Sequence, residues 1–245
     1  MIRGIYAAAS GMTFEQKAVD IDANNLANLN TTGYKREEPI AASFHDVLIE
    51  MANRTPGTGD TLPEGVQLAG TYRNEAPGDL RQTNNRLDLG LVNGGQFFVT
   101  KRPDGTQLLT RDGAFTRDRQ GDLVTSDGAQ VEAEGGGPIN LPADMRNIKI
   151  HDDGTITNDG TVIDKILVVA PNQAELSQFP LATGALTPAT GVSMRQGYLE
   201  SSNVNAVTEM VRLIEASKIF AFEQKAVTAH DQMLQAATQQ VGKTS

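Results

Sequence analysis

FEQKAV stands at Phe14–Val19 and again at Phe222–Val227, near both ends of a 245-residue chain, and the surroundings of the two copies decide the fold class. Around the first, Ile2, Ile5, Ala9, Met12, Gln16, Val19, Ala23 and Leu26 recur at alternating spacings of four and three in a stretch without proline. That is the a/d spacing of a coiled-coil helix, with Gln16 its polar exception. Around the second, Met210, Leu213, Ser217, Phe220, Gln224, Val227, Asp231 and Leu234 repeat the pattern between about Val204 and Gln240. Superposing the copies places Gln16 on Gln224 and Val19 on Val227, so the fragment occupies the same heptad positions on two helices from opposite ends. At 1.5 Å per residue the first helix is roughly 40 Å long. Asn28, Asn30 and Gly33 supply a stop, since glycine takes the left-handed conformation at a helix C-terminus without steric cost.

Between the helices the pattern changes. Asp104-Gly105, Asp112-Gly113, Gln120-Gly121 and Asp127-Gly128 fall at nearly regular intervals, separated by the short runs QLLT, AFTR and DLVT. Turn glycines at that spacing predict a meander of antiparallel strands. FFVTK (Phe97–Lys101) precedes it, and KILVVA (Lys165–Ala170) is a buried-strand candidate after it. NRTPGTGDTLPEGV, from Asn53 to Val66, reads as a flexible linker, or as a contact segment ordered only in a complex. The expected class is α+β, with long N- and C-terminal helices forming a coiled-coil core and a central antiparallel β-rich domain. Its divisions are 1–36 (helix and Asn-rich box), 37–78 (extended arm and flexible loop), 79–192 (β-rich domain) and 193–245 (C-terminal helix pairing with the first).

Composition narrows the functions. A 39% hydrophobic content suffices for a core. The formal charge of −9 and a pI near 4.8 argue against nucleic acid, whose binding rests on Lys and Arg displacing counterions from phosphates. No window reaches the 18 or so apolar residues of a membrane span, and the start lacks the apolar core of a cleaved signal. Without cysteine there is no disulfide, thiolate site or cysteine nucleophile. His45, His151 and His230 are scattered, and HDDGTITNDG reads as two Asx-Gly hairpin turns, since it lacks the ligand spacing of a calcium loop. GGG at Gly135–Gly137 leads into Pro138, so it is a turn and no phosphate cradle. The expectation is no enzyme and no cofactor.

Heptad helices ordinarily pack on their own domain. Here the d positions are strong, whereas the a positions hold Ala9, Gln16, Ala23, Ser217, Gln224 and Asp231. Each Ala in place of Leu forfeits about 2 kcal/mol of burial, so the seam is thin for an isolated dimer. It suits helices wedged among several neighbours.

Five stretches then carry a family resemblance. ANNLANLNTTGYKR (Ala23–Arg36) resembles the signature of bacterial flagellar basal-body rod and hook proteins. QTNNRLDLGLVNGGQFFV (Gln82–Val99), LLTRDGAF (Leu108–Phe115) and GDLVTSDGAQV (Gly121–Val131) are similar to the β-domain blocks of that family, in the same order. GYLESSNVNAVTEMVRLIEASKIFAFEQKAV (Gly197–Val227) resembles its C-terminal signature. MIRGIYAAASGM and the short middle resemble the proximal rod type; TLPEGVQLAGTY (Thr61–Tyr72) resembles the distal type.

The resemblance implies a structural subunit that assembles with itself and other rod subunits into a helical tube carrying motor torque to the hook. Hook and outer ring proteins are further candidate partners. It implies the periplasmic rod as location and export through the flagellar type III apparatus without a cleaved signal. A coiled-coil-stalk binding module is the alternative of a different class. The assembly contacts are expected on the apolar helix faces (Ile2, Ile5, Ala9, Met12, Gln16, Val19, Ala23, Leu26, Met210, Leu213, Phe220, Gln224, Val227, Leu234). The Asn-rich box and its surroundings, Asn24, Asn25, Asn28, Gly33 and Asn203, complete them, because Asn side chains can both donate and accept at exposed backbone ends of neighbouring subunits.

Overall fold

The computed structural model describes residues 2–43, 66–171 and 188–241, and the Asn53–Val66 linker lies outside them except for Val66. The fold is α+β: one long helix toward each end, and antiparallel strands between them. The chain divides into two compact units that interleave in sequence.

The helical unit holds α1 (Ile2–Ala27), strands β1 (Glu37–Ser43) and β2 (Val66–Arg73), and α2 (Ala206–Val241). The arm 37–78 thus contributes an antiparallel ribbon, from Glu37 opposite Arg73 to Ser43 opposite Val66, with a register shift after Ile40. Pro39 is tolerated because a two-stranded ribbon consists only of edges. The start of α2 is set locally: the Asn205 Oδ1 accepts from the backbone N–H of Val207 at 3.0 Å and of Thr208 at 3.2 Å, which caps two otherwise unsatisfied donors.

The β unit takes residues 28–35 and 75–203. Its strands are β3 (Leu80–Gln82), β4 (Leu89–Leu91), β5 (Phe97–Lys101), β6 (Gln107–Thr110), β7 (Thr116–Arg117), β8 (Leu123–Val124), β9 (Gln130–Val131), β10 (Ile148–Ile150), β11 (Thr155–Asn158), β12 (Thr161–Lys165), β13 (Val168–Val169), β14 (Met194–Gln196) and β15 (Tyr198–Glu200). The largest sheet runs β13-β5-β9-β8-β7, with β6 also on β5; β10-β11-β12 form a second, and β14 with β4 and β15 with β3 form two pairs.

The expected meander is present in part: β5 and β6 form one antiparallel hairpin and β7, β8 and β9 pair consecutively, but β6 does not pair with β7 and β9 returns to β5. Gly105, Gly121 and Gly128 take φ of 87°, 102° and 83°, the left-handed region that makes glycine the default there. Gly113 serves differently: a Cβ on it would lie 1.8 Å from the Leu89 carbonyl oxygen. HDDGTITNDG forms the turns of the β10-β11-β12 sheet, with the Asp153 carboxylate accepting from the Thr155 N–H at 3.0 Å.

The apolar runs of β5 and β13 are explained by burial on both faces. Phe98, Ile166 and Val168 enter the main core with Leu89, Leu91, Leu123, Ile139, Leu141 and Ile156. Their alternates Phe97, Val99, Leu167 and Val169 form a second cluster with Leu109. Phe98 meets Phe115 edge to face at 5.1 Å between centroids, a favoured aromatic geometry.

Candidate assembly interface

In the helical unit α1 packs against α2. Three contacts give the direction. The Glu223 carboxylate lies where a Cβ on Gly11 would be, 2.2 Å from Oε1; Arg212 faces Asp22; and the Asn25 Nδ2 reaches the Glu209 Oε2 at 3.3 Å. As numbers rise along α1 they fall along α2, so the helices are antiparallel. Ala18 and Ala216, both buried, lie on the same line, one heptad from Gly11 and Glu223 and one from Asn25 and Glu209.

This line corrects the expected seam. Ala9, Gln16, Ala23, Met210 and Gln224, the a row, are exposed, while Met12, Val19, Leu26, Leu213, Phe220, Val227 and Leu234 are half-buried. The fully buried positions sit one residue before the expected row: Gly11, Ala18, Asp22 and Asn25 on α1, Glu209 and Ala216 on α2. Small residues let the helices approach, and the buried polar ones are held by specific partners; spacing weighted by apolarity passes over both. Ile2 and Ile5 lie in α1. The antiparallel direction also keeps the two FEQKAV copies apart, with Val19 level with residue 215 and Val227 level with residue 7.

Asn25 is fully buried and works within the chain. Its Oδ1 accepts from the Glu37 N–H at 3.0 Å and its Nδ2 donates to the Glu37 carbonyl at 2.8 Å, so one amide side chain pairs like a strand residue with the start of β1. Arg36 Nε donates to the Glu209 Oε1 at 2.5 Å, and its guanidinium also pairs with Glu38. Arg212 reaches Glu38 at 4.0 Å. Asp22, 5% exposed, hydrogen-bonds Glu209; burial and then the Glu209 charge push its carboxyl up to about 6, against the pull of Arg212 and Arg36.

The β unit contains a second buried polar knot. Glu200 is fully enclosed. Its Oε2 accepts from Arg111 at 2.6 Å and its Oε1 from the Lys35 Nζ at 2.6 Å and the Gly78 N–H at 2.8 Å. Arg111 further donates to the carbonyls of Asn93, Gln96 and Leu91. Lys35 also donates to the Ala76 carbonyl at 2.7 Å, and burial holds its ammonium below the usual lysine range despite Glu200.

Gly33 joins this knot. Its N–H donates to the Glu200 carbonyl at 2.9 Å, and it stands six residues beyond the end of α1, so it is no helix cap. Asn28 accepts from Thr31, Asn203 donates to the Ala76 carbonyl at 3.0 Å, and Asn24 is exposed on α1.

The decisive polar residues Asp22, Lys35, Arg36, Arg111, Glu200 and Glu209 were not among those expected. The one trace is at Glu209, where a charge interrupts the otherwise uncharged stretch NAVTEMV.

On α2, Val207, Met210, Val211, Ile214 and Phe222 are 67, 46, 48, 55 and 74% exposed. At 100° per residue they lie on the side of the helix away from Glu209, Ala216 and Glu223. Among the described residues no three His, Cys, Asp or Glu gather to hold a metal, and no helix is long and apolar enough to cross a membrane.

Within the helical unit, a long helix that packs on its antiparallel partner and still carries an exposed apolar row points to a structural class of protein that assembles through helix faces. The model of the flagella basal body rod protein matches residues 5–35, that of the flagellar hook protein FlgE/F/G D1 domain residues 91–158, and that of the flagellar basal body rod FlgEFG protein C-terminal residues 195–240. The chain is 35% identical to the flagellar basal-body rod protein FlgG of Borreliella burgdorferi, over 96% of this chain and 97% of that one. It is 31% identical to FlgG of Buchnera aphidicola subsp. Acyrthosiphon pisum, over 98% and 100%, and 30% identical to FlgF of Caulobacter vibrioides, over 99% of each. The chain belongs to the flagellar basal-body rod protein family. It is a structural, non-enzymatic subunit of the bacterial flagellar basal body.

Proposed function

We propose that the helical unit is the assembling element: its antiparallel helices join those of neighbouring rod subunits as the coiled-coil inner core of a tube. The observation that carries this is the exposed apolar row of Val207, Met210, Val211, Ile214 and Phe222 on α2. One helix face is committed to α1, and water contact with the other is unfavourable by about 25 cal/mol per Å² of apolar surface. The exposed a row of Ala9, Gln16, Ala23, Met210 and Gln224 and the half-buried row containing Val19 and Val227 complete the contact surface, together with Asn24. Ile2 and Ile5 are assigned to it from their spacing.

Head-to-tail contacts of this kind propagate helically instead of closing into a dimer, and many shallow repeats carry torque toward the hook. Export runs through the flagellar type III apparatus, and hook and outer ring proteins are the further partners. The chain's start and short middle favour a proximal place on the rod, with a distal place as the alternative; imaging tagged subunits in isolated basal bodies distinguishes them.

The reading is tested by Val19→Asp and Val227→Asp. Each places a carboxylate in a packed helical surface, at a cost of several kcal/mol unless it stays wet. The expected result is non-motile cells without completed rods, while the purified variant keeps the far-UV circular dichroism and protease resistance of its β unit. Normal swimming by either variant overturns it.

A further inference from the structure

The contact between α1 and α2 sets acid against acid. Asp22 and Glu209 hydrogen-bond across it. About three turns back along α1 the carboxylate of Glu223 fills the notch above Gly11, with its Oε2 buried and without a hydrogen-bond partner, and Glu15 of α1 is the charge that bears on it. Two carboxylates brought together out of water cannot both remain ionised at little cost, whereas a single proton turns such a pair into a donor and an acceptor.

We propose that the α1–α2 contact is a proton-tightened latch, in which the pairs Asp22–Glu209 and Glu15–Glu223 close the two helices more firmly in mildly acidic than in neutral or alkaline solution. The charges facing Asp22 are Glu209 and Arg212 from α2 and Arg36 from the segment before β1. Both arginines also engage Glu38 of β1, so their hold on Asp22 is shared. Arg73 of β2 pairs with Glu37.

Burial raises the carboxyls of Glu15 and Glu223, the latter also through the Glu15 charge, and Asp22 is pushed up to about 6 from 3.8. Groups raised in the closed state bind protons on closing. Their stabilisation is therefore complete below their ordinary range and is lost as pH rises through the raised values, which for Asp22 alone is about a hundredfold in the closing equilibrium between pH 4 and pH 7.5. The device lies within one chain and does not depend on the assembly of the rod.

Amide hydrogen exchange of the full-length monomer, read by mass spectrometry at pH 5 and 7.5 and corrected for the intrinsic exchange rate, tests it. Peptides of α1 and α2 are expected to lose tenfold or more of their protection at the higher pH, while β5 and β8 peptides keep theirs. Asp22→Asn, which donates to Glu209 without ionising, is expected to raise helix protection at pH 7.5 and to reduce the pH response severalfold. Glu223→Gln does the same from the other pair and stands in should Asp22→Asn not fold, as the β5 and β8 peptides would reveal. Equal protection at the two pH values, or an undiminished response in both variants, overturns the latch.

Discussion

Replacing Glu200 by alanine is expected to destabilise the β unit by about 3–5 kcal/mol, the range for removing one partner of a buried ion pair. The effect is large because one carboxylate serves two buried cations and one backbone donor. Arg111, fully buried, loses its counter-charge and keeps only carbonyl partners. Lys35 retains the Ala76 carbonyl and can shed its proton, which recovers part of the loss; Arg111 cannot. Urea unfolding followed by far-UV circular dichroism measures the loss, tryptophan emission being unusable in a chain with Trp 0. Arg111→Ala is expected to be as severe, and the double variant to cost less than the sum, because each single change strands the other group. Additive losses would mean that the knot is not a unit.

Gly33→Ala is expected to cost about 3 kcal/mol, and Gly105→Ala only about 1–2 kcal/mol, although both glycines are in the left-handed region. The two sites share the backbone strain, with φ of 67° and 87°. They differ in what a Cβ would meet. At Gly33 it would lie 2.4 Å from the carbonyl carbon of Arg111 and from the nitrogen of Asp112, which are backbone and cannot swing aside; at Gly105 nothing lies within 4 Å. Matched urea midpoints separate strain from packing, and equal losses at the two sites would remove the packing part of the account. Since Gly33 also donates to the Glu200 carbonyl, the change weakens the same knot from its backbone side.

These two sites illustrate what was legible. The sequence marks Gly33 for its conformational freedom, and the positive φ is there, but the reason is the close approach of the Arg111–Asp112 backbone, about 80 residues away, and not the end of α1. The hairpins were legible because their causes are local, whereas the return of β9 to β5 was not: a turn glycine acts on its own neighbours, and two-sided burial leaves an apolar run such as FFV or ILVV. Glu200 and Glu209 were not. A glutamate that will be sealed between cations reads like any solvated one until its partners, Lys35 and Arg111 or Arg36 and Asn25, are brought to it.

Both helices, their heptad spacing and the β body between them follow from the sequence by itself, since hydrophobic period and turn chemistry are written over a few residues at a time. So does the family, whose signatures are continuous stretches. Only the tertiary structure decided that α1 and α2 run antiparallel, which keeps the FEQKAV copies apart, and that the contact passes through Gly11, Ala18, Asp22 and Asn25 instead of the more apolar row beside them. It also decided that the Asn25 amide binds the chain's own Glu37. The physical reason is common to these cases: the free energy of a small or polar residue at a helix contact depends on what faces it, and what faces it comes from the far end of the chain.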